Sequence, residues 1–391
     1  MRLGRFAWIG VSALVLLAGC KGFWDKPTSG GGGNFAASGV FYVLNSKTTQ
    51  LTAFQFLANS SGPTALTGSP YALSSLPYTM AFAPSGSFLY VSTVSGIYVY
   101  SVAADGTLTI ANGGSVISSD PAFAMKVDPT GTWLVEVASG QGTVNAVPIS
   151  ASSGLLDSTR TEKSAVLPTI TISQLAISPG TPANPYVFIA MGSGGTAVIP
   201  FTASSATPFG TVGHINLISN AGGALAVAVD PSNRLLYVGE TAALTAGAQT
   251  GGLRVFTIAA NSVITEISGS PFSTAGTGPS AILPGTSDIY VANKAVSGSA
   301  DGNITGFSLT TSGTTTITYS LTTISTISAG ISTNSLAVDN TGTYILAANP
   351  GGSPDLSTFT FDTTTAGKLD AAATAATGTD PVQAIVVVAH P

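Results

Sequence analysis

Glu240 and Arg254 are the first residues of this sequence that could act on a substrate together. Glu240 closes the apolar run Leu235 to Val238, so a strand would carry it to an end of the fold. Arg254 lies in the alternating run that follows, Leu253-Arg254-Val255-Phe256. A carboxylate can move a proton, and a guanidinium beside it can hold developing oxyanion charge, which is the minimum for hydrolysing an ester-like bond. The same two residues also read as a structural ion pair, and that role is the more frequent. Asn45, Asn293 and Asn349 close three further apolar runs. A ring of amides at one mouth of the fold would suit a neutral polar ligand such as a sugar, with Lys294 adding charge. Asn in such places also caps its own loop backbone.

Little else in the chain can do chemistry. It has two histidines, His214 in a polar outer segment and His390 next to the last residue. No His, Cys or carboxylate cluster has metal-ligand spacing. Asp301-Gly302 lacks the neighbouring ligands of a calcium loop and reads as a turn inside an insertion. Phosphate-loop, dinucleotide and nucleophile-elbow patterns are absent, so neither a metal nor an organic cofactor is expected. Charged residues make up 7% of the chain, against roughly 25% in ordinary soluble domains. The formal charge is −5 with 12 Lys and Arg, which argues against nucleic acid as a partner. At 44% hydrophobic residues the composition is that of a packed core rather than a disordered chain.

A repeat must position these residues. Its marker is a turn: Ala83-Pro84-Ser85-Gly86, Asp128-Pro129-Thr130-Gly131, Ser178-Pro179-Gly180-Thr181, Asp230-Pro231-Ser232-Asn233, Leu283-Pro284-Gly285-Thr286 and Asp339-Asn340-Thr341-Gly342. Pro presets φ at the second position, and Asp or Ser at the first bonds the backbone ahead of it, as a type I turn requires. An apolar run of strand length follows each turn, and a seventh run, Val40 to Leu44, has no turn before it. A strand alternating with period two comes next, such as Ile97-Tyr98-Val99-Tyr100, then a polar strand ending in Gly-Ser-Pro-aromatic at 68–71 and 269–272. Four strands per unit, more polar outward, is the pattern of a propeller blade. The domain opens on a second strand at Gly39 and ends on Pro381 to Ala389, which reads as a first strand alone. Joined, they complete one blade, so the expected fold is an all-β, seven-bladed propeller closed by its C-terminal strand.

The Asp-Pro-x-Gly turns, Leu236-Tyr237-Val238, Ile289-Tyr290-Val291, Gly269-Ser270-Pro271-Phe272 and Asp105-Gly106-Thr107-Leu108 resemble those of the lactonase-type seven-bladed propellers, the group that includes bacterial 6-phosphogluconolactonases. The resemblance covers Gly39 to Pro391. It implies hydrolysis of a sugar lactone by a His-x-His element in a first strand, an Asp-x-Gly-x-Asp-Arg segment and an Asn-Glu pair. Here the matching first strands, Ala122 to Val127 and Gln174 to Ile177, lack His. The segments 139–142 and 192–195 lack Asp and Arg, and only Gly239-Glu240 answers the Asn-Glu pair.

The first residues read as an export signal. Arg2 and Arg5 precede an apolar stretch, Phe6 to Leu17, too short to span a bilayer, and Leu17-Ala18-Gly19-Cys20 resembles a lipobox with the chain's single Cys as the acylated residue. The expected layout is a signal peptide at 1–19, a lipidated Cys20 and Gly-rich tether at 20–38, and the propeller at 39–391. Export removes the domain from cytoplasmic sugar phosphates. The expectation is therefore a monomeric binding or scaffolding module at the cell envelope, anchored to the outer membrane through its lipid, with a carbohydrate or envelope protein as ligand. Its alternative is a lactonase-like hydrolase using Glu240 and Arg254.

Overall fold

In the computed structural model the described residues are 38–387, apart from 46, 58–61, 139, 158–161, 168, 170, 181–184, 245–250, 260–262, 315, 340, 354 and 378–381. Residues 1–37, which carry the expected signal, Cys20 and nearly all of the expected tether, lie outside them, as does His390. Seven antiparallel sheets form a ring, as the repeat requires. Blade 1 joins Val382–Val387 to Ser38–Asn45, Gln50–Phe56 and Thr64–Ala65. Blade 2 runs from Pro77 to Ile110, blade 3 from Ala122 to Val166, blade 4 from Gln174 to Ile215, blade 5 from Ala224 to Glu266, blade 6 from Thr277 to Ile331 and blade 7 from Ser335 to Ala375. In every blade the first strand is innermost. The strand Ser38–Asn45 pairs with both Gln50–Phe56 and Val382–Val387, so the two ends of the domain share one sheet and seal the ring.

The turn chemistry is as expected. Gly86, Gly131, Asn233 and Gly342 each donate their N–H to the residue three before, at 2.9–3.0 Å. Asp128 is fully buried, and its carboxylate accepts the N–H groups of Thr130, Thr132 and Trp133 at 2.6–2.9 Å. Asp230 and Asp339 repeat the arrangement, so these carboxylates satisfy backbone donors that would otherwise be orphaned. The Gly-Ser-Pro motif has a related purpose. It interrupts the outermost strand, and Ser69 and Ser270 offer their hydroxyls to the N–H groups of Ala53 and Val255 where a ladder carbonyl would stand.

Continuous apolar strands are buried on both faces because each sheet is sandwiched between two others. Phe41, Phe54 and Phe56 of blade 1 pack on Leu346 and Leu356 of blade 7, and Phe56 stacks on Tyr344 with ring centroids 4.3 Å apart. A polar lock, not anticipated from the repeat, adds to this packing. Tyr42, Tyr90 and Tyr290 donate their hydroxyls to Gly106, Gly154 and Gly367 at 2.6, 2.9 and 2.7 Å. Each acceptor sits in the outer turn of the following blade, with φ of 82°, 69° and 74°, and a Cβ at Gly106 would lie 2.5 Å from Val40. Tyr237 holds the same position in blade 5, but its buried hydroxyl has no hydrogen-bond partner among the described residues. The reason is blade 6, whose outer strands Asp301–Ser312 and Thr318–Ile331 run on past the level where the others turn. Asp301 and Gly302 therefore open a strand, against the expectation of a turn, because the insertion lengthens the sheet instead of leaving it.

Candidate functional site

The structure brings Glu240 and Arg254 together and closes them in. Arg254 Nη1 lies 2.7 Å from Glu240 Oε1, and its other face makes a fork with Glu266, Nε to Oε1 at 3.0 Å and Nη2 to Oε2 at 2.7 Å. The second Nη1 hydrogen goes to the Asn216 carbonyl, while Glu240 Oε2 accepts the Ile218 N–H at 3.1 Å. Both contacts reach the segment linking blade 4 to blade 5. The three side chains belong to the second, third and fourth strands, so the cluster points outward through the blade. Glu240 is 2% exposed. Desolvation alone would raise the carboxyl of Glu266, but hydrogen bonds from Arg254 and Ser270 outweigh it and hold the pKa below the ordinary range. All three side chains are bonded to one another or to backbone, which makes the trio a brace between neighbouring blades.

The amides are braces as well. Asn293 accepts from the Thr274 hydroxyl at 2.8 Å and donates to Asn303 Oδ1 and the Thr274 carbonyl. Asn349 accepts from Thr333 and donates to Ser357. Asn45 accepts the N–H of Lys47 at 3.1 Å. All three are fully buried at strand ends, where they close loops. His214 is exposed on the outermost strand of blade 4, and its ring contacts the Gly194 carbonyl.

The open site is the axial channel, a cavity of about 670 Å³ lined by the innermost strands. A repeated irregularity shapes it. In blades 2, 3, 5 and 6, as in blade 1 where the register skips Gln383, the inner strand carries one extra residue against its neighbour, the skipped residues being Tyr78, Phe123, Leu225 and Ser280. Such a bulge re-aims a side chain, and these four face the channel, level with Ser173 and Asn334 at the entries to blades 4 and 7. They form a collar of two halves. Tyr78 and Phe123 meet edge to face, centroids 5.3 Å apart at 79°, and Phe123 is 38% exposed. On the polar side, Asn334 Oδ1 is buried without a hydrogen-bond partner among the described residues.

Two lysines are the only charged groups among the described residues lining the channel. Lys294, a sequence candidate, stands beside the collar, against Gly278. Lys126 was not singled out from the sequence. It sits deeper, two residues before the blade 3 turn, where Ala81, Ala176, Ala228 and Ala337 hold the same place in four other blades. A lysine replacing a repeated alanine was the signal that could have found it. Water reaches its side chain from the channel, but the ring of strands around it desolvates the ammonium and pushes its pKa below the lysine range. Among the described residues no group of three potential metal ligands occurs, and no helix is long and apolar enough to cross a membrane.

The fold and channel define a seven-bladed propeller with a lysine-bearing axial cavity. Among solved structures it is similar to a protein of Bacteroides uniformis named as a candidate 6-phosphogluconolactonase, at 15% identity and a TM-score of 0.67, covering 90% of this chain and 99% of that one. It is similar also to the periplasmic gluconolactonase of Pseudomonas aeruginosa, at 15% identity, TM-score 0.65, and 91% and 100% coverage. The hydrazine synthase of Kuenenia stuttgartiensis superposes with a TM-score of 0.56 at 14% identity, over 87% of this chain and 99% of that one. Likeness at these identities shows the fold, and one fold here carries unlike chemistries. No family model and no curated protein matches the sequence.

Proposed function

We propose that the protein is an exported propeller, lipid-anchored through Cys20 at the cell envelope, that takes a small anionic sugar derivative into its axial channel. One observation carries this reading: the channel holds Lys126 and Lys294 and no carboxylate among its described lining. Two uncompensated cations in a confined cavity favour an acid, because low-dielectric walls focus their field. The likeness to structures named as gluconolactonases supports a small-molecule ligand over a protein-scaffolding role. The anchor rests on the lipobox reading of Leu17 to Cys20, and the outer membrane as its site rests on Lys21, a residue other than Asp directly after that Cys. Calorimetric titration of the domain with gluconate, glucose and glucosamine tests it. Gluconate alone is expected to bind, with weaker binding in Lys126→Gln and Lys294→Gln; equal binding of glucosamine would overturn the reading.

The named neighbours favour a second reading, hydrolysis of a sugar lactone. Glu240 and Arg254 are closed off from the channel, so Lys126, with its lowered pKa, is the base that the channel offers. Assay of gluconolactone opening decides it. Turnover lost in Lys126→Gln supports hydrolysis at the channel, whereas turnover lost in Glu240→Ala, with the fold intact, would return the chemistry to the blade 5 pair.

A further inference from the structure

We propose that the bulge collar recognises a sugar in its pyranose form, with the apolar face of the ring laid on Phe123 and a ring hydroxyl given to Asn334. This rests on the reading that the channel takes a sugar acid, and it adds which form of the acid is chosen. Three observations carry it. The same inner-strand bulge is spent on an aromatic residue in two adjacent blades, 2 and 3, and on Gln383, Leu225 and Ser280 in blades 1, 5 and 6. The collar is thus aromatic on one side only. Tyr78 touches Phe123 edge to face, an arrangement that fixes the rings while leaving one ring face uncovered, and Phe123 stays 38% exposed where large apolar side chains are normally withdrawn. Opposite, Asn334 lines the same cavity as the polar member of the collar, and a side-chain amide can exchange hydrogen bonds with a ring hydroxyl.

A pyranose matches both halves. Its axial C–H groups make one face apolar, and its hydroxyls project from the edge. Lys294 stands next to the collar to meet an acidic substituent on that edge. An open-chain acid offers the same charge and hydroxyls without a flat apolar face, so the collar would tell the two apart.

Glucuronate, a ring, and gluconate, an open chain, are the probes, with methyl glucopyranoside as an uncharged ring. Calorimetry is expected to show glucuronate bound more tightly than gluconate, on the order of fivefold, as one aromatic contact allows. Phe123→Leu keeps the apolar bulk without the ring face and is expected to bring the two acids to equal affinity, while Phe123→Tyr keeps the preference. Lys294→Gln should weaken both acids alike. Equal binding of the two acids by the unaltered protein, or a preference that survives Phe123→Leu, overturns the collar and leaves the acid-binding channel standing. Failure of both acids to bind overturns the channel reading. In that case Phe123-dependent saturation transfer to methyl glucopyranoside upholds the collar, and its absence ends it.

Discussion

Charge is handled in opposite ways in the two charged regions of this propeller. In blade 5, Arg254 lies between Glu240 and Glu266 and is paired with both, and the trio ties the blade to the segment before it. In the channel, Lys126 and Lys294 stand without a carboxylate among the described lining. The blade 5 cluster has the residue types of an active site and the geometry of a rivet. The channel has too few reactive residues to attract notice in the sequence, yet its charges are left for something that is not part of the chain. In a molecule with so few ions, whether a charge is already answered says more about function than which residues carry it.

The contrast can be broken at several strengths. The widest cut removes the frame that both regions share. Without residues 382–391 blade 1 lacks its inner strand, and the domain is expected to lose cooperative thermal unfolding and to aggregate through the exposed sheet edge. Unchanged calorimetric melting would refute ring closure. Next is Arg254→Ala, which leaves the buried Glu240 and the partly exposed Glu266 without the cation between them. It should cost about 3–5 kcal/mol in chemical denaturation. Lys126→Gln should do the reverse, leaving the fold as stable or more so at neutral pH because it removes a desolvated ammonium, while weakening acid binding. The two substitutions thus exchange effects if the assignment of rivet and site is wrong.

Acidity sharpens the same comparison. Glu266 is held below its ordinary pKa, so the stability it lends is present above the usual glutamate range and is lost as pH falls through its lowered value. The folded-state pKa of Lys126 is also lowered, so the unfolded chain holds the extra proton between that value and the ordinary lysine value, and stability rises with pH across that window. Denaturation midpoints against pH should show both slopes, and Lys126→Gln should flatten only the alkaline one. The smallest expected effect compares two tyrosines in one structural position. Tyr90→Phe gives up the bond to Gly154 and should cost about 1 kcal/mol, while Tyr237→Phe removes a hydroxyl that bonds to none of the described residues and should be near neutral or stabilising.

The ring was legible in the sequence because turns are local. Asp128, Asp230 and Asp339 announce their hairpins within a few residues, and the seven apolar runs fall at the second strand of every blade. The lone first strand at 382–387 gave the closure. The channel was not legible because it is assembled from one residue of each of several blades. Phe123 and Tyr78 look like ordinary strand residues until the register skips them. Lys126 differs from its counterparts only when the repeats are superposed. Glu240 and Arg254 were visible for the opposite reason, since ion-pair partners in adjacent strands stay close in sequence. The tyrosine locks needed the structure outright, because each spans 64 to 77 residues to the next blade.

The sealing of blade 1 has a mechanical side. The strand Ser38–Asn45 is clasped between Gln50–Phe56 on one edge and Val382–Val387 on the other. A pull arriving from the N-terminal side enters along the length of that strand. It then loads two ladders of hydrogen bonds in shear at once, and cannot unzip either from its end. Under the proposed anchoring at Cys20, a tug from the membrane would meet a strand held on both edges, and the load would pass into the ring.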